Sequence, residues 1–246
     1  MKIAHISDFH LRHHLPGDSA IEQRKSRQMP NKIALAVKHI QTLSPDLIAV
    51  TGDLVDYPLD QMDVSETVAQ GKKDLQLIQE LFAPFSCPIA FLFGNHDHPT
   101  SFDRIFTHLS PDFDVQGHRV VSFFDHEGPN HIPQRVGDQH TRFRALLKDS
   151  DPRLQIHLQH YLITPEHNQD YPHTYANGQQ LTSALLNDPR PKLCLSGHYH
   201  KGENLFQQDH VYFAIARAFC EPPHPYRIYT IDANAITQTE YTLLPE

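Results

Sequence analysis

The chain has 246 residues, 39% of them hydrophobic and 20% charged, enough for one α/β domain with a large core and no need of staples. Its formal net charge of -8 argues against a general binder of duplex nucleic acid, which needs Lys and Arg to displace counterions. Its three cysteines, Cys87, Cys194 and Cys220, lack any Cys-x-x-Cys spacing and argue against a disulfide scaffold, which points to a reducing, cytoplasmic setting.

The first apolar run, Ile3 to Ile6, reads as a strand over 2–6. It is too short for the apolar core of a signal peptide, and Asp8 follows at once, so the native chain is expected to begin here. A polar loop of roughly twenty residues comes next. Asn31 is expected to cap a helix that places Ile33, Val37, Ile40 and Leu43 on one face, and Ser44-Pro45 ends it. A strand over 46–51, a helix from Ser65 to Phe82 stopped by Pro84, and a strand over 88–93 complete a βαβαβ pattern of parallel strands.

The second half is less regular. Val120 to Phe124 reads as a strand, 125–137 as loop, and Phe143, Leu146 and Leu147 as one side of a helix. A strand over 154–159, a polar loop over 165–176, a helix near 178–187 and a strand over 192–196 follow. Beyond His200 come β-like runs near 203–207, 211–216, 226–232 and 237–243. The two halves are expected to supply two sheets packed face to face, with helices outside. No stretch approaches the ~20 apolar residues that cross a bilayer.

Five polar clusters each follow one of the short apolar runs: Asp8-Phe9-His10, Gly52-Asp53-Leu54-Val55-Asp56, Gly94-Asn95-His96-Asp97, His160, and Gly197-His198-Tyr199-His200. Ligands of open α/β sheets gather beyond the carboxyl ends of the strands. Carboxylates, imidazoles and one amide delivered there suit two adjacent divalent metals. On a continuing strand Asp8 and His10 would face one side. The oxygens of Asp53 offer enough lone pairs to bridge two cations. His96 is placed to act as a general acid, with Asp97 accepting from its other ring nitrogen. Of the 20 histidines, His13, His14, His98, His131 and His224 read as exposed or packing residues. The basic stretch Arg24, Lys25, Arg27 and Lys32 reads as a solvated loop rather than a phosphate-binding patch.

In this order and context the clusters resemble the calcineurin-like metallophosphoesterase superfamily, whose pattern is Asp-x-His, Gly-Asp-x-x-Asp/Asn, Gly-Asn-His-Asp/Glu, a lone His, then Gly-His-x-His. All five blocks stand here, across residues 8–200. The chain looks most like the small bacterial cyclic-nucleotide phosphodiesterase-like members. The resemblance implies a four-layer α/β/β/α sandwich of two mixed sheets flanked by helices, as one domain over 1–246, with a dinuclear site at the strand ends. It implies one metal held by Asp8, His10, Asp53 and His200, and a second by Asp53, Asn95, His160 and His198. It makes His96 the general acid and Asp97 its support, while Asp56 reads as structural. One departure is that Tyr161 follows His160 where many relatives have Pro. The donor set contains no thiolate, so Mn²⁺, Fe²⁺/Fe³⁺ and Zn²⁺ all fit.

The implied chemistry is in-line attack by a hydroxide bridging two cations about 3.5–4 Å apart, with His96 protonating the departing alkoxide, a step worth roughly 10²–10⁴ in rate. The expected substrate is a small phosphodiester such as a nucleotide. A phosphomonoesterase, including a protein phosphatase, is the runner-up and a nucleotide pyrophosphatase the third reading. Some superfamily members are non-catalytic scaffolds, but here His96 and the whole ligand set are present. Selectivity is expected from loops 11–30, 55–64, 98–103, 125–137 and 165–176. Arg12 is placed to meet a phosphate or stay exposed, and Tyr171, Tyr175 and Phe124 to stack on a base or pack onto the core. A homodimer is the default among oligomers, and neither duplex nucleic acid nor membrane is an expected partner.

Overall fold

The computed structural model describes residues 1–233 and 235–243. Its first sheet joins β1 (Lys2–Ile6), β2 (Leu47–Thr51) and β3 (Ile89–Leu92), which run parallel. Helices α1 (Met29–Leu43) and α2 (Ser65–Phe82) form the crossovers. The second sheet centres on four parallel strands, β5 (His118–Ser122), β8 (Gln155–Leu158), β9 (Lys192–Ser196) and β11 (Val211–Ile215). Antiparallel β4 (Asp112–Val115) and β10 (Glu203–Gln208) flank them at the two edges. A hairpin of β6 (His126–Glu127) and β7 (Pro133–Gln134) stands apart.

The last two strands, β12 (Pro225–Ile231) and β13 (Ile236–Thr242), return to the first sheet, giving the order β13-β12-β1-β2-β3. The sheets therefore do not divide the chain into halves. The β-like run after His200 is shared, two strands to each sheet, because β1 is paired with β2 on one side only and its other side takes β12 antiparallel.

Strand alternation builds the layers. Ile3, Leu47, Ala49 and Leu92 face Ile156, Leu158, Leu193 and Leu195 across the gap between sheets. Their neighbours Ala4, Ile6, Ile48, Val50 and Phe91 face outward onto Ile33, Val37, Ile40, Leu75 and Ile78 of the first two helices. On the far side Val121, Cys194 and Phe213 pack against α4 (Gly137–Leu146) and α5 (Gly178–Asn187). These are the four layers α/β/β/α. No helix among the described residues is long and apolar enough to cross a membrane.

Two local expectations change. Asn31 does not cap α1: the helix starts at Met29, with Pro30 in its first turn and no side-chain cap at Gln28. Pro lacks the N–H that an earlier start would use, and its fixed φ suits a first turn. A short α3 (Pro99–Ile105), capped by His98 accepting from the Ser101 N–H, fills the segment read as a substrate loop over 98–103.

Candidate metal centre

The loops after β1 and β2 stay hydrogen-bonded past the strand ends. Asp8 N donates to Gly52 O at 3.0 Å, His10 N to Asp53 O at 2.9 Å and Leu11 N to Leu54 O at 3.0 Å. The backbone is nevertheless not extended there. Asp8 (φ 57°), His10 (φ 43°), Asp53 (φ 49°) and His198 (φ 67°) all occupy the left-handed region. Asp8 and His10 thus meet through two kinks rather than along a continuing strand. Non-glycine residues pay a steric penalty in that region, and such strain gathers at functional sites.

Seven side chains from five loops converge. Asp8, His10, Asp53 and His200 offer donor atoms within 4.8 Å of one another, and so do Asp53, His160 and His198. Asp53 belongs to both groups: its Oδ2 lies 3.3 Å from His10 Nε2 and its Oδ1 3.4 Å from His160 Nε2. Asn95 Oδ1 stands 3.3 Å from His160 Nε2, beside the second group. The loop carrying Asn95 can approach this closely because residue 94 is Gly; a Cβ there would sit 2.2 Å from Asp53 Oδ1.

Three imidazoles have their second nitrogen engaged. His10 Nδ1 pairs with Asp56 Oδ1 at 3.2 Å, His160 Nδ1 donates to the Thr51 carbonyl at 2.6 Å, and His200 Nδ1 donates to Glu221 Oε1 at 2.6 Å. Each ring is thereby turned with Nε2 inward, as metal-ligating histidines are. Tyr161 is buried with its ring edge-on to both His160 and His198, at centroid distances of 4.9 Å, so an aromatic wall stands where many relatives have Pro.

Burial and mutual charge move these groups in different directions. Burial pushes the Asp8 carboxyl up. Burial would also raise Asp53, yet His160, His10 and His96 outweigh it and hold that carboxyl below the usual range. Burial drives His10 and His198 well below the ordinary histidine value. His160 moves the other way, because Asp53 and Asp8 outweigh its burial. The residues fit metal ions on a further count. His198 Nε2 is buried with no hydrogen-bond partner, a costly state that a cation beside Asp53 and His160 would relieve. The donors are nitrogen and oxygen only, a set open to several divalent metals.

His96 lies at the rim with its Nδ1 3.4 Å from Asp56 Oδ1, within ion-pair reach though not hydrogen-bonded. Asp97 does not touch this ring. Its carboxylate accepts from the backbone N–H groups of Leu54 (3.0 Å), Val55 (2.9 Å) and Gly94 (2.9 Å). The expectation that Asp97 supports His96 is therefore corrected: Asp97 ties the loops after β2 and β3 together, and Asp56 is the carboxylate facing His96. The reason is geometric, since three convergent backbone N–H donors hold the Asp97 carboxylate toward the loops after β2 and β3.

A cleft of about 460 Å³ opens over the cluster, reaching Asp53, Asn95, His96, His198 and His200. Loop 11–30 contributes Ile21 and Arg24, loop 55–64 Leu59, and loop 165–176 Asp170, Tyr171 and His173. Of the three aromatic candidates only Tyr171 lines it. Phe124 packs onto Phe93 and Phe102, and Tyr175 is buried with its hydroxyl on Asp125. Arg12 is neither exposed nor in the cleft: its Nε donates to Asp56 Oδ2 at 2.9 Å. Sequence reasoning missed Glu221 behind His200, for which no motif signal exists, and Arg24, which lay in the basic stretch.

The family model for calcineurin-like phosphoesterases matches residues 1–202. Among solved structures the chain is similar to a dimetal phosphatase from Danio rerio, with a TM-score of 0.75 at 13% identity, covering 99% of this chain and 96% of that one. It is also similar to a purple acid phosphatase from yellow lupin seeds, with a TM-score of 0.66 at 10% identity. That alignment covers 98% of this chain and 51% of the lupin one, so this chain spans about half of that protein. A third likeness is the anchor in the inner membrane complex of Plasmodium, with a TM-score of 0.62 at 9% identity, covering 99% of this chain and 84% of that one. At these identities the likeness concerns the fold. No curated protein matches the chain.

Proposed function

Because the chain belongs to the calcineurin-like phosphoesterase family, we propose that it is a phosphodiesterase acting on a small nucleotide or a diester of similar size. More broadly it is a metal-dependent phosphoester hydrolase, and the family works with two divalent ions. In this reading Asp8, His10, Asp53 and His200 hold one ion, and Asp53, Asn95, His160 and His198 the other. Two such ions supply Lewis acidity toward phosphoryl oxygens and a water acidic enough to attack near neutral pH. The chain's own residues do the rest. Asp53, shared between the two groups, fixes their spacing. His96 lines the cleft with its Nδ1 facing Asp56, and as an imidazolium it gives a proton to the departing oxygen.

The observation that supports the diester preference is the lining of the cleft. Besides the cluster residues it presents Ile21, Leu59, Tyr171 and Tyr199. A diester carries a second organic substituent on phosphorus for such apolar and aromatic surface to contact, whereas a monoester carries one. Ile21 and Leu59 are 43% and 49% exposed, apolar contact surface for an organic substituent. The test compares the manganese-loaded protein on a generic aryl phosphodiester and on its monoester. Faster turnover of the diester is expected. A preference for the monoester would move the protein to the phosphomonoesterases.

A further inference from the structure

We infer that Arg24 is a substrate-binding residue that grips the phosphoryl group of the ester, an inference that rests on the phosphoester-hydrolase reading of the cleft. Four observations point to it. Arg24 lines the cleft alongside Asp53, Asn95 and His96. Its side chain is only 10% exposed, so the charge is built into the site rather than solvated on a loop. The backbone holds it there independently of its head group: Arg24 N donates to Ile21 O at 3.1 Å, and Lys25 N donates to Cys220 O at 2.9 Å.

The fourth observation is a mismatch of charge. Asp56 takes Arg12 Nε on Oδ2 at 2.9 Å and Arg24 Nη1 on Oδ1 at 3.0 Å. Two guanidinium groups thus share one carboxylate, and of the two only Arg24 lines the cleft. Arg24 Nη1 makes one further contact, 3.4 Å from His96 Nε2, and its Nε has no partner. A mostly buried guanidinium with one unpartnered N–H, at the wall of the cleft and beside the Asp/His cluster, is suited to an anion.

The chemistry of the match is specific. A guanidinium is planar, always charged, and presents parallel N–H groups that fit two phosphoryl oxygens at once. A phosphoryl group held between the Asp/His cluster and Arg24 lies beside His96, whose Nε2 is 3.4 Å from Arg24 Nη1 in the free protein. Arg24 thereby binds the ester next to His96. Lys in its place would supply charge without the fork.

The experiment is calorimetric titration of orthophosphate into the manganese-loaded protein, for the natural chain, R24Q and R24K, with manganese content and Tm recorded for each. Expected is a loss of phosphate affinity of about 10- to 100-fold in R24Q, the scale of one charge-assisted hydrogen-bond set. Manganese content should be unchanged, and R24K should recover part of the loss. Unchanged phosphate affinity in R24Q would overturn the inference. So would a fall confined to manganese content or Tm, which would make Arg24 a support for Asp56 and His96. If R24Q does not fold, R24K alone decides, since affinity equal to that of the natural chain argues against the planar fork. The aryl diester-to-monoester rate ratio of the natural chain tests the phosphodiesterase reading separately.

Discussion

Asp56 Oδ1 lies 3.4 Å from His96 Nδ1, while Asp97, adjacent in sequence to that histidine, turns its carboxylate to three backbone N–H groups. The two acids therefore have separable tasks. Asp56 also meets His10 Nδ1 and two arginines, so it orients His96, the proposed proton donor, together with the candidate metal cluster. D56N should lower kcat/KM by about 10- to 100-fold, the range for outer-shell partners of metal-ligating histidines. The loss should be greater on alkyl than on aryl diesters, because a poor leaving group depends more on His96. D97A should instead act on stability. It strands buried N–H groups at about 1–3 kcal/mol each, so urea unfolding should show a loss of about 3 kcal/mol or more. Equal sensitivity of the two variants to leaving group would sink this division.

The shared position of Asp53 makes a distinct prediction about metal content. His198 belongs to one donor group only, whereas Asp53 belongs to both. H198A should hold about one ion fewer than the natural chain, and D53N should weaken both sites. Elemental analysis after exhaustive dialysis reads this directly. Chelation should also lower Tm, because a ligand at about 100 times its Kd stabilises by roughly 2.7 kcal/mol. An H198A protein with full metal content would remove His198 from the ligand set.

Much of this site was legible because its residues follow apolar runs that end at one edge of parallel strands. Leu47–Thr51 and Lys192–Ser196 are continuous buried strands, and such runs declare themselves in sequence. What was not legible depends on contacts across long separations. The partner of β1 on its second side, β12, lies more than two hundred residues away, and nothing local in Pro225–Ile231 says which sheet it joins. The choice between Asp56 and Asp97 was likewise hidden. Adjacency favoured Asp97, but the folded loops direct three N–H groups at it, and only the assembled backbone shows them. Arg24 was misread for a related reason: a basic residue in a polar loop looks solvated until Asp56, 32 residues on, pairs with it and the Cys220 carbonyl holds the backbone of the neighbouring Lys25.

Acid stability should depend on an ion-pair cluster remote from the metals. Asp188 accepts from Arg190 Nε at 2.9 Å and lies 3.1 Å from Lys192 Nζ. Burial would raise its carboxyl, but the hydrogen bonds from Arg190 and Lys192 prevail and hold it down at about 2, against an ordinary value of 3.8. A carboxyl held lower in the folded state adds stability that is full above its unfolded value and is lost as pH falls through its folded value. D188N should therefore be less stable than the natural chain at pH 7 by about 1 kcal/mol or more, since Asp188 and Lys192 are buried and the pair is little screened. The gap should narrow between about pH 4 and pH 2, read from urea midpoints. A gap that stays constant across that window would show that the carboxylate charge is not the source.

The buried pair of Arg135 and Asp125 lets packing be separated from catalysis. Arg135 is fully buried, with Nε and Nη2 donating to Asp125 Oδ2 at 3.0 and 2.8 Å and its guanidinium 3.8 Å from the centroid of Phe123. Tyr175 completes the cluster, donating its hydroxyl to the same oxygen at 2.6 Å. Removing one partner leaves a charge in an apolar setting, which costs about 3–5 kcal/mol, whereas replacing both by apolar groups is often neutral. D125A should thus lose about that much in urea unfolding, and D125A/R135M should recover most of it because Met refills the space against Phe123. The double variant should keep its phosphoester turnover, since neither residue lines the cleft. Turnover that stays low in a double variant of restored stability would mean that this cluster acts on the site through the loop it anchors.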